Sequence, residues 1–348
     1  MRNTTHGFGH KAITIYDISK LARVSPATVS RVISGSARVS EEKKQAVLLA
    51  MKISGFTPNV LAQSLAGSGS HTIGFIVPDI KNPYFSSIYY HVELLASQNG
   101  YAVLLANSRG ILQNESQILS TLTSRHADAI VFMGGRIDSC LCGKKELLEL
   151  EQTDQFVPLL LTSRVQESSL PQIYSCEEGT LYALMQHLKE QGCKTFAILG
   201  GSGDVRVAHQ RKKLLLMYGH QVGMESRPEW DITDTSFSIE GGKQAATELL
   251  EASELPDAAC CLNDMVAVGA LQQFRSKGIQ IPQDILLTGF DGEFLSDIAY
   301  PGITTAEFDY KDFAQQMFDL LLKRIHHEPC AQITEIYPHL TIRGSTTR

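Results

Sequence analysis

Between residues 15 and 54, apolar residues recur at helical spacing in three short stretches. Ile15, Ile18 and Leu21 make one face, Val29, Val32 and Ile33 a second, and Val47, Leu48 and Met51 a third. Three short amphipathic helices are predicted. Gly55-Phe56-Thr57-Pro58 ends the third, because glycine favours the C-terminal cap and proline cannot continue a helix. Residues 59–66 have room for about two helical turns, and Gly67-Ser68-Gly69-Ser70 reads as a flexible linker. Beyond it the pattern changes. Apolar runs of strand length at 72–78, 101–107, 129–134, 157–163, 195–201, 258–264 and 285–291 alternate with amphipathic stretches such as 86–98, 180–191 and 312–327. Near-continuous apolar strands separated by helices predict parallel sheets covered on both faces. The strand-helix pattern restarts near Thr195, which predicts two similar lobes with a cleft between them. The expected fold is an all-α helix-turn-helix head followed by a two-lobed α/β body. Its expected divisions are an N-terminal extension (1–12), the head (13–58), a hinge and linker (59–70) and the body (71–348).

Charge sharpens the division. The 348 residues carry a net charge of −6, yet residues 1–70 hold nine lysines and arginines against three acidic residues, while the remainder holds 22 against 34. A small basic head on a larger acidic body is the footprint of a phosphate-binding module joined to a part that stays off DNA. No run approaches the ~18 uninterrupted apolar residues of a membrane span, and the first twelve residues lack the apolar centre of a secretory signal. A cytoplasmic protein with no membrane contact is expected. The seven cysteines, at 140, 142, 176, 193, 260, 261 and 330, read as reduced, mostly structural thiols. Cys140-x-Cys142 is too tight a pair for a zinc site, so no metal is expected.

In the head, Thr14 to Val32 reads as two helices joined by a turn of about three residues. Ser25 is a good N-cap and Pro26 suits the first helical position, where its missing N–H costs nothing. The N-terminal amides of that helix, with the hydroxyls of Ser25, Thr28 and Ser30, suit phosphate contacts. Arg31, one turn along, offers a bidentate fork to guanine, and Ala27 an apolar contact to a thymine methyl. The run Val24-Ser25-Pro26-Ala27-Thr28-Val29-Ser30-Arg31-Val32 resembles the DNA-binding head of the lactose/galactose repressor family. The resemblance continues through Val39-Ser40, Gly55-Phe56-x-Pro58-Asn59 and Ala62-Gln63-Ser64-Leu65-Ala66-Gly67, and then along the whole remainder. It implies that Pro26, Ala27 and Arg31 read bases, that Asn59 is a hinge contact, and that Leu65 is an apolar wedge entering the minor groove and bending the duplex. Tyr16, Arg38 and Ala62 complete the implied DNA-contacting set. One departure is Arg23, where the family usually has a turn glycine. A positive φ there costs roughly 1–2 kcal/mol.

The body resembles the same family's sensor domain, itself similar to periplasmic sugar-binding proteins. The resemblance implies an effector cleft touched by Asp79 and Phe85 after the first strand, Glu178, Arg211, Phe237, Asn263 and Asp291. Asn263 and Asp291 end strands, where open parallel sheets hold ligands. The glycine usual three residues after the family's arginine is Leu214 here. Residues 200–203 (Gly-Gly-Ser-Gly) lack the third glycine of a dinucleotide loop, no P-loop or G-x-S-x-G elbow occurs, and no H-E-x-x-H spacing exists among the eleven histidines. No catalysis and no cofactor are expected. Residues 201–203 with Arg206 and Arg211 are compatible with an anion nest, making the effector a sugar phosphate rather than a neutral sugar, and equally with a plain surface loop. The expected protein is a sequence-specific repressor of carbohydrate-utilisation genes, binding a pseudo-palindromic operator as a homodimer under control of a sugar or sugar phosphate. Other readings are a cytoplasmic sugar-binding protein or a purine- or nucleoside-responsive regulator of the same architecture.

Overall fold

The computed structural model describes residues 13–33, 39–56 and 69–347. Of the expected DNA contacts, Arg38, Asn59, Ala62 and Leu65 lie outside the described residues. The chain divides into two compact units, Met1–His71 and Thr72–Arg348.

In the first unit, α1 (Ile15–Leu21), α2 (Pro26–Ile33) and α3 (Glu41–Ser54) match the predicted helices. Asp17 accepts hydrogen bonds from Thr14 N (2.9 Å) and Oγ1 (2.7 Å), fixing the first turn of α1. Ser25 Oγ accepts from Thr28 N at 3.2 Å and caps α2. Gly55, at φ 67°, ends α3 in the left-handed conformation that glycine adopts without strain. Ile18, Val29, Val47 and Ala50 form the core, flanked by Ile15, Ala22, Val32 and Met51. Two expected core positions are corrected: Leu21 is 59% and Leu48 44% exposed. At 100° per residue each lies about a quarter-turn round from the buried stripe, and a unit this small has only one interior to offer.

The second unit holds two six-stranded sheets. The first comprises β1 (Thr72–Val77), β2 (Ala102–Asn107), β3 (Ala129–Phe132), β4 (Leu159–Leu161), β5 (Gln172–Ser175) and β11 (Ile333–Ile336). Its spatial order is β11-β5-β4-β3-β1-β2, with every pairing parallel. The second comprises β6 (Phe196–Leu199), β7 (Asp231–Ile232), β8 (Ala258–Cys261), β9 (Leu286–Asp291), β10 (Thr304–Glu307) and β12 (His339–Thr341), in the order β12-β10-β9-β8-β6-β7. Only β12 runs antiparallel, against β10. The chain passes between the sheets after β5, after β10 and again between β11 and β12, so the lobes are joined by three strands of chain. Helices cover both faces of each sheet. The outer face of the first sheet is sealed by a cluster around Phe132, Ile130 and Leu159, and that of the second by one around Phe274, Trp230 and Leu287. The inner faces share one continuous core running from Phe75 and Val131 to Phe196 and Phe290.

Two details position the strand ends at the cleft. Helices α9 (Ile239–Leu249) and α10 (Asp264–Ser276) pack with their backbones close together. A Cβ on Gly242 would stand 2.1 Å from Val266 O, and one on Gly269 2.0 Å from Ile239 O. The first residue of α10, Asp264, is 1% exposed. Its Oδ2 accepts from Glu293 N and its Oδ1 from Thr305 Oγ1, both at 2.7 Å, which ties α10 to β10 and to the turn after β9. Burial pushes the Asp264 carboxyl up to about 7, against the bonds from Thr305 and Glu293 that favour its charge.

Adding the methyl group at Gly242 or Gly269 should lower stability by about 1–3 kcal/mol through forced separation of the two helices. Gly179→Ala, whose Cβ would meet nothing within 4 Å, is the matched control, and urea unfolding followed by the fluorescence of the single, buried Trp230 reads both. The Asp264 carboxyl predicts a pH effect of definite sign. Below pH ~4 it is protonated in both folded and unfolded chains. Between pH ~4 and ~7 only the unfolded chain ionises, so stability falls as pH rises, by up to about 1.4 kcal/mol per pH unit. Above its folded value the loss is complete. Unfolding curves of the parent and Asp264→Asn should therefore diverge across that window and run parallel above it; parallel curves throughout would refute the assignment.

Candidate functional site

The first unit presents the exposed edge of α2. Ser25, Pro26, Ala27, Ser30 and Arg31 are exposed on it, with Thr28 half-buried, while Val29 on the opposite side enters the core. Tyr16 on α1 is 64% exposed. The Ser25 and Thr28 hydroxyls lie 2.9 Å apart and share a hydrogen bond, so both are held at the helix N-terminus. Arg23 does adopt a positive φ, 51°, in the turn between the helices. Arg23 thereby sets a cationic side chain, where glycine would have none, two residues before the Ser25 cap.

The second unit carries a buried polar cluster at the carboxyl ends of β8 and β9. Its centre is Arg211, 6% exposed, on α8 (Arg206–Gln221). The guanidinium meets Glu177 as a fork: Nε donates to Oε2 and Nη2 to Oε1, both at 2.9 Å. Nη1 donates to Leu262 O at 2.6 Å, and Nη2 reaches Asp291 Oδ1 at 3.4 Å. The planar group lies over the Phe290 ring, 3.5 Å from its centroid. Arg211 is thus held charged against the cost of burial by its two acidic partners. Asp291 has φ 100°, a region that side-chain-bearing residues rarely enter. Tyr310 Oη donates to its carbonyl at 2.7 Å and holds it there. Burial pushes the Asp291 carboxyl well up, opposed by the nearby Arg211 charge.

Further groups complete the cluster. Tyr84, on α4 (Pro83–Gln98), sits within electrostatic reach of Asp291 and Arg211, and burial raises its phenol. Asp138, at the end of a 3-10 turn (Gly135–Asp138), faces Arg206 and Arg211, and burial raises it too. That turn is anchored by a buried ion pair, Arg136 Nε to Glu115 Oε2 at 2.8 Å. Glu293, 4% exposed, follows β9 and accepts from Ser87 Oγ of α4 at 3.0 Å, a contact between the lobes. At the cleft rim Arg206 donates across the lobes to Arg164 O and Ser139 O, each at 3.1 Å.

Of the expected effector contacts, the structure brings Arg211 and Asp291 into direct contact. Asn263 follows Leu262, whose carbonyl Arg211 holds; its side chain accepts from Val266 N (2.9 Å), capping α10, and donates to Phe237 O at 3.4 Å. Phe237 and Phe85 pack half-buried against the shared core. Asp79 is exposed, where its carboxylate accepts from Lys81 N. Glu178 is the first residue of α7 (Glu178–Glu190), and its Oε2 accepts from Cys176 Sγ. The acid on Arg211 is its neighbour Glu177, which sequence reasoning passed over together with Tyr84, Asp138, Glu293 and Tyr310. In the loop read either as an anion nest or as a plain surface loop, the Gly203 amide donates to Asp234 Oδ1 at 3.4 Å. Both arginines counted toward the nest are already engaged.

Comparison with known proteins places these two parts. Residues 14–59 match the model for bacterial regulatory proteins of the lacI family, and residues 185–346 that for a periplasmic binding protein-like domain. The ribose operon repressor of Halalkalibacterium halodurans is 31% identical over 335 residues, covering 96% of this chain and 97% of that one. Among solved structures, the lac repressor dimer bound to operator and the anti-inducer ONPF superposes with a TM-score of 0.86 at 23% identity, covering 97% and 100% of the two chains. The complex of the transcriptional regulator CelR with cellobiose does so with a TM-score of 0.70 at 24% identity, covering 96% and 99%. A basic head with an exposed recognition edge, and a two-sheet body with a charged cleft, are here parts of one regulator: the chain belongs to the lacI family of bacterial transcriptional regulators, DNA-binding repressors and not enzymes, with a periplasmic-binding-protein-like effector domain.

Proposed function

We propose that the protein represses carbohydrate-utilisation genes in the cytoplasm and that its effector is a carbohydrate bound around Arg211 and Asp291. The observation that carries this reading is the pairing of those two side chains at the carboxyl ends of the strands, in a chain similar throughout to a ribose operon repressor. A hydroxyl pair of a sugar can take the fork that Glu177 and Asp291 now offer to Arg211, and Phe237 and Phe85 provide apolar faces for its ring. Asp138, Glu177, Asp291 and Glu293 argue against a phosphorylated ligand, since a dianion brought among them would be opposed by every carboxylate still ionised.

Operator contact falls to Tyr16, Ser25, Pro26, Ala27, Thr28, Ser30 and Arg31, with Arg38 and the hinge residues Asn59, Ala62 and Leu65 added by resemblance. A homodimer on a pseudo-palindromic site is supported by exposed apolar side chains that a lone body leaves in water: Tyr90 and Leu94 on α4, Leu104 and Leu105 on the edge strand β2, and Phe294 and Ile298 on α11 (Phe294–Ile298).

Two measurements test this. In a duplex selected from a random pool, Arg31→Ala should lose about 1–3 kcal/mol of discrimination at one base position per half-site; uniform weakening over all sequences would make Arg31 a phosphate contact instead. Titrating operator complexes with sugars should reveal ligands that change operator affinity by some factor, and operator should change the affinity for the same sugar by that factor, because the coupling is reciprocal. A sugar that binds the body and leaves operator affinity untouched counts against the effector role.

A further inference from the structure

The cleft has an imbalance of charge that the chain does not itself resolve. Three carboxyl groups, Asp138, Glu177 and Asp291, face one buried guanidinium, and a fourth, Glu293, lies beside Asp291. That guanidinium is committed to Glu177 and Leu262 O, with Asp291 at the edge of reach. Arg206 is turned to backbone carbonyls at the rim. Glu293 adds an independent observation. Its Oε2 accepts from Ser87, but Oε1, buried, accepts nothing among the described residues. The Tyr310 phenol lies within hydrogen-bonding reach of the Glu293 carboxylate, but it has a single hydrogen, which it shares with Asp291 O at 2.7 Å and can give to only one of the two at a time. A buried carboxylate oxygen without a donor costs on the order of 1–3 kcal/mol, and it lies next to the residue argued to bind effector.

We propose that the effector is an amine-bearing carbohydrate, whose ammonium group is received by Glu293 Oε1 and Asp291 while its hydroxyls engage Arg211. The inference rests on the reading that this cleft is the effector site and adds the ligand's chemical class to it. An ammonium supplies both missing quantities, three donors and a positive charge. A neutral sugar supplies donors only, and a phosphate supplies neither.

The chemistry has a pH signature. Glu293 faces Ser87 of α4, Tyr310 of α12 (Tyr310–Ile325), Asp264 of α10 and Asp291 of β9, with Arg211, Glu177 and Tyr84 behind Asp291 and Tyr310. Arg343 acts on Asp264 from the C-terminal segment. Burial raises Glu293, Asp291 and Asp264 above ordinary carboxyl values, so at mildly acid pH the empty cleft holds extra protons. An arriving cation favours their ionised forms, and those protons leave to solvent. Amine affinity therefore rises with pH through the acid range until the ligand's own ammonium deprotonates.

The test is calorimetric titration of the full-length protein with three matched series: D-glucose, D-galactose and D-ribose; D-glucosamine and D-galactosamine; and glucose 6-phosphate and ribose 5-phosphate. The expected result is an amino sugar bound at least tenfold more tightly than its neutral parent, no phosphate bound, and proton release seen as a dependence of heat on buffer ionisation. Glu293→Gln should reduce the amine preference to within twofold. Ser87→Ala, which removes the donor to Oε2 and leaves Oε1 as it is, should retain it. If neutral or phosphorylated sugars bind equally well or better, the amine assignment is overturned and the effector reading stands. If no series binds while the protein still retains operator, both are overturned. An amine preference that survives Glu293→Gln overturns the role given to that residue.

Discussion

A charged guanidinium buried at the junction of two lobes has to be satisfied on every side, and the architecture of the cleft follows from how Arg211 achieves this. The penalty for burying such an ion is several kcal/mol, and only close, well-oriented acceptors repay it. Glu177 supplies a bidentate partner from the first crossing between the lobes, Leu262 O one from the end of β8, and Asp291 one from the end of β9. Those three points come from three different elements, so Arg211 fixes the mutual position of a crossing segment and two strand ends. The strained φ of Asp291 is retained because the carbonyl is gripped by Tyr310 and the carboxylate by the same guanidinium. Removing one member would leave the others buried and unpaired, which is why the group behaves as a unit and not as separate contacts.

Around that unit a second tier holds the strand ends in place. Asp264 joins α10 to β10 and to Glu293, and it needs Gly289 opposite, where a Cβ would stand 2.2 Å from its Oδ1. In the other lobe the Arg136–Glu115 pair anchors the turn that delivers Asp138. Both tiers use buried polar groups, which specify one geometry because each has few satisfactory alternatives. The apolar cores beneath can tolerate modest repacking; these polar anchors cannot slide.

The legible and illegible parts of the sequence divide along that line. Apolar periodicity exposes β1, β3, β6, β8 and β9, whose side chains are buried on both faces, and the Ser25-Pro26 pair exposes the start of α2. It does not expose β10, written Thr-Thr-Ala-Glu, because Thr304 and Thr305 are buried through hydrogen bonds to Thr346 and Asp264 and not by being apolar. The short β7 and the edge strands β11 and β12 carry too few buried residues to produce a period. At the site, resemblance placed the acid at Glu178, while the group on the arginine is Glu177. The difference is one residue: Glu177 is the N-cap of α7, and it is its carboxylate, not that of Glu178, that meets the guanidinium. Glu293 and Asp138 were invisible for a different reason, since nothing local marks a carboxylate whose neighbours come from another lobe.

The cleft in this state is closed on itself, and that sets the terms on which any ligand acts. Arg206 reaches from one lobe to carbonyls of the other, Ser87 of one lobe meets Glu293 of the other, and Arg211 is spoken for. A ligand entering there must exchange its own hydrogen bonds for some of these, and it shifts the lobes only by the difference between what it gains in each arrangement. Contacts that the ligand merely replaces contribute nothing to the switch. The contacts that run from lobe to lobe, the Ser87–Glu293 bond and the Arg206 clasp, are the ones a change of lobe arrangement would have to break.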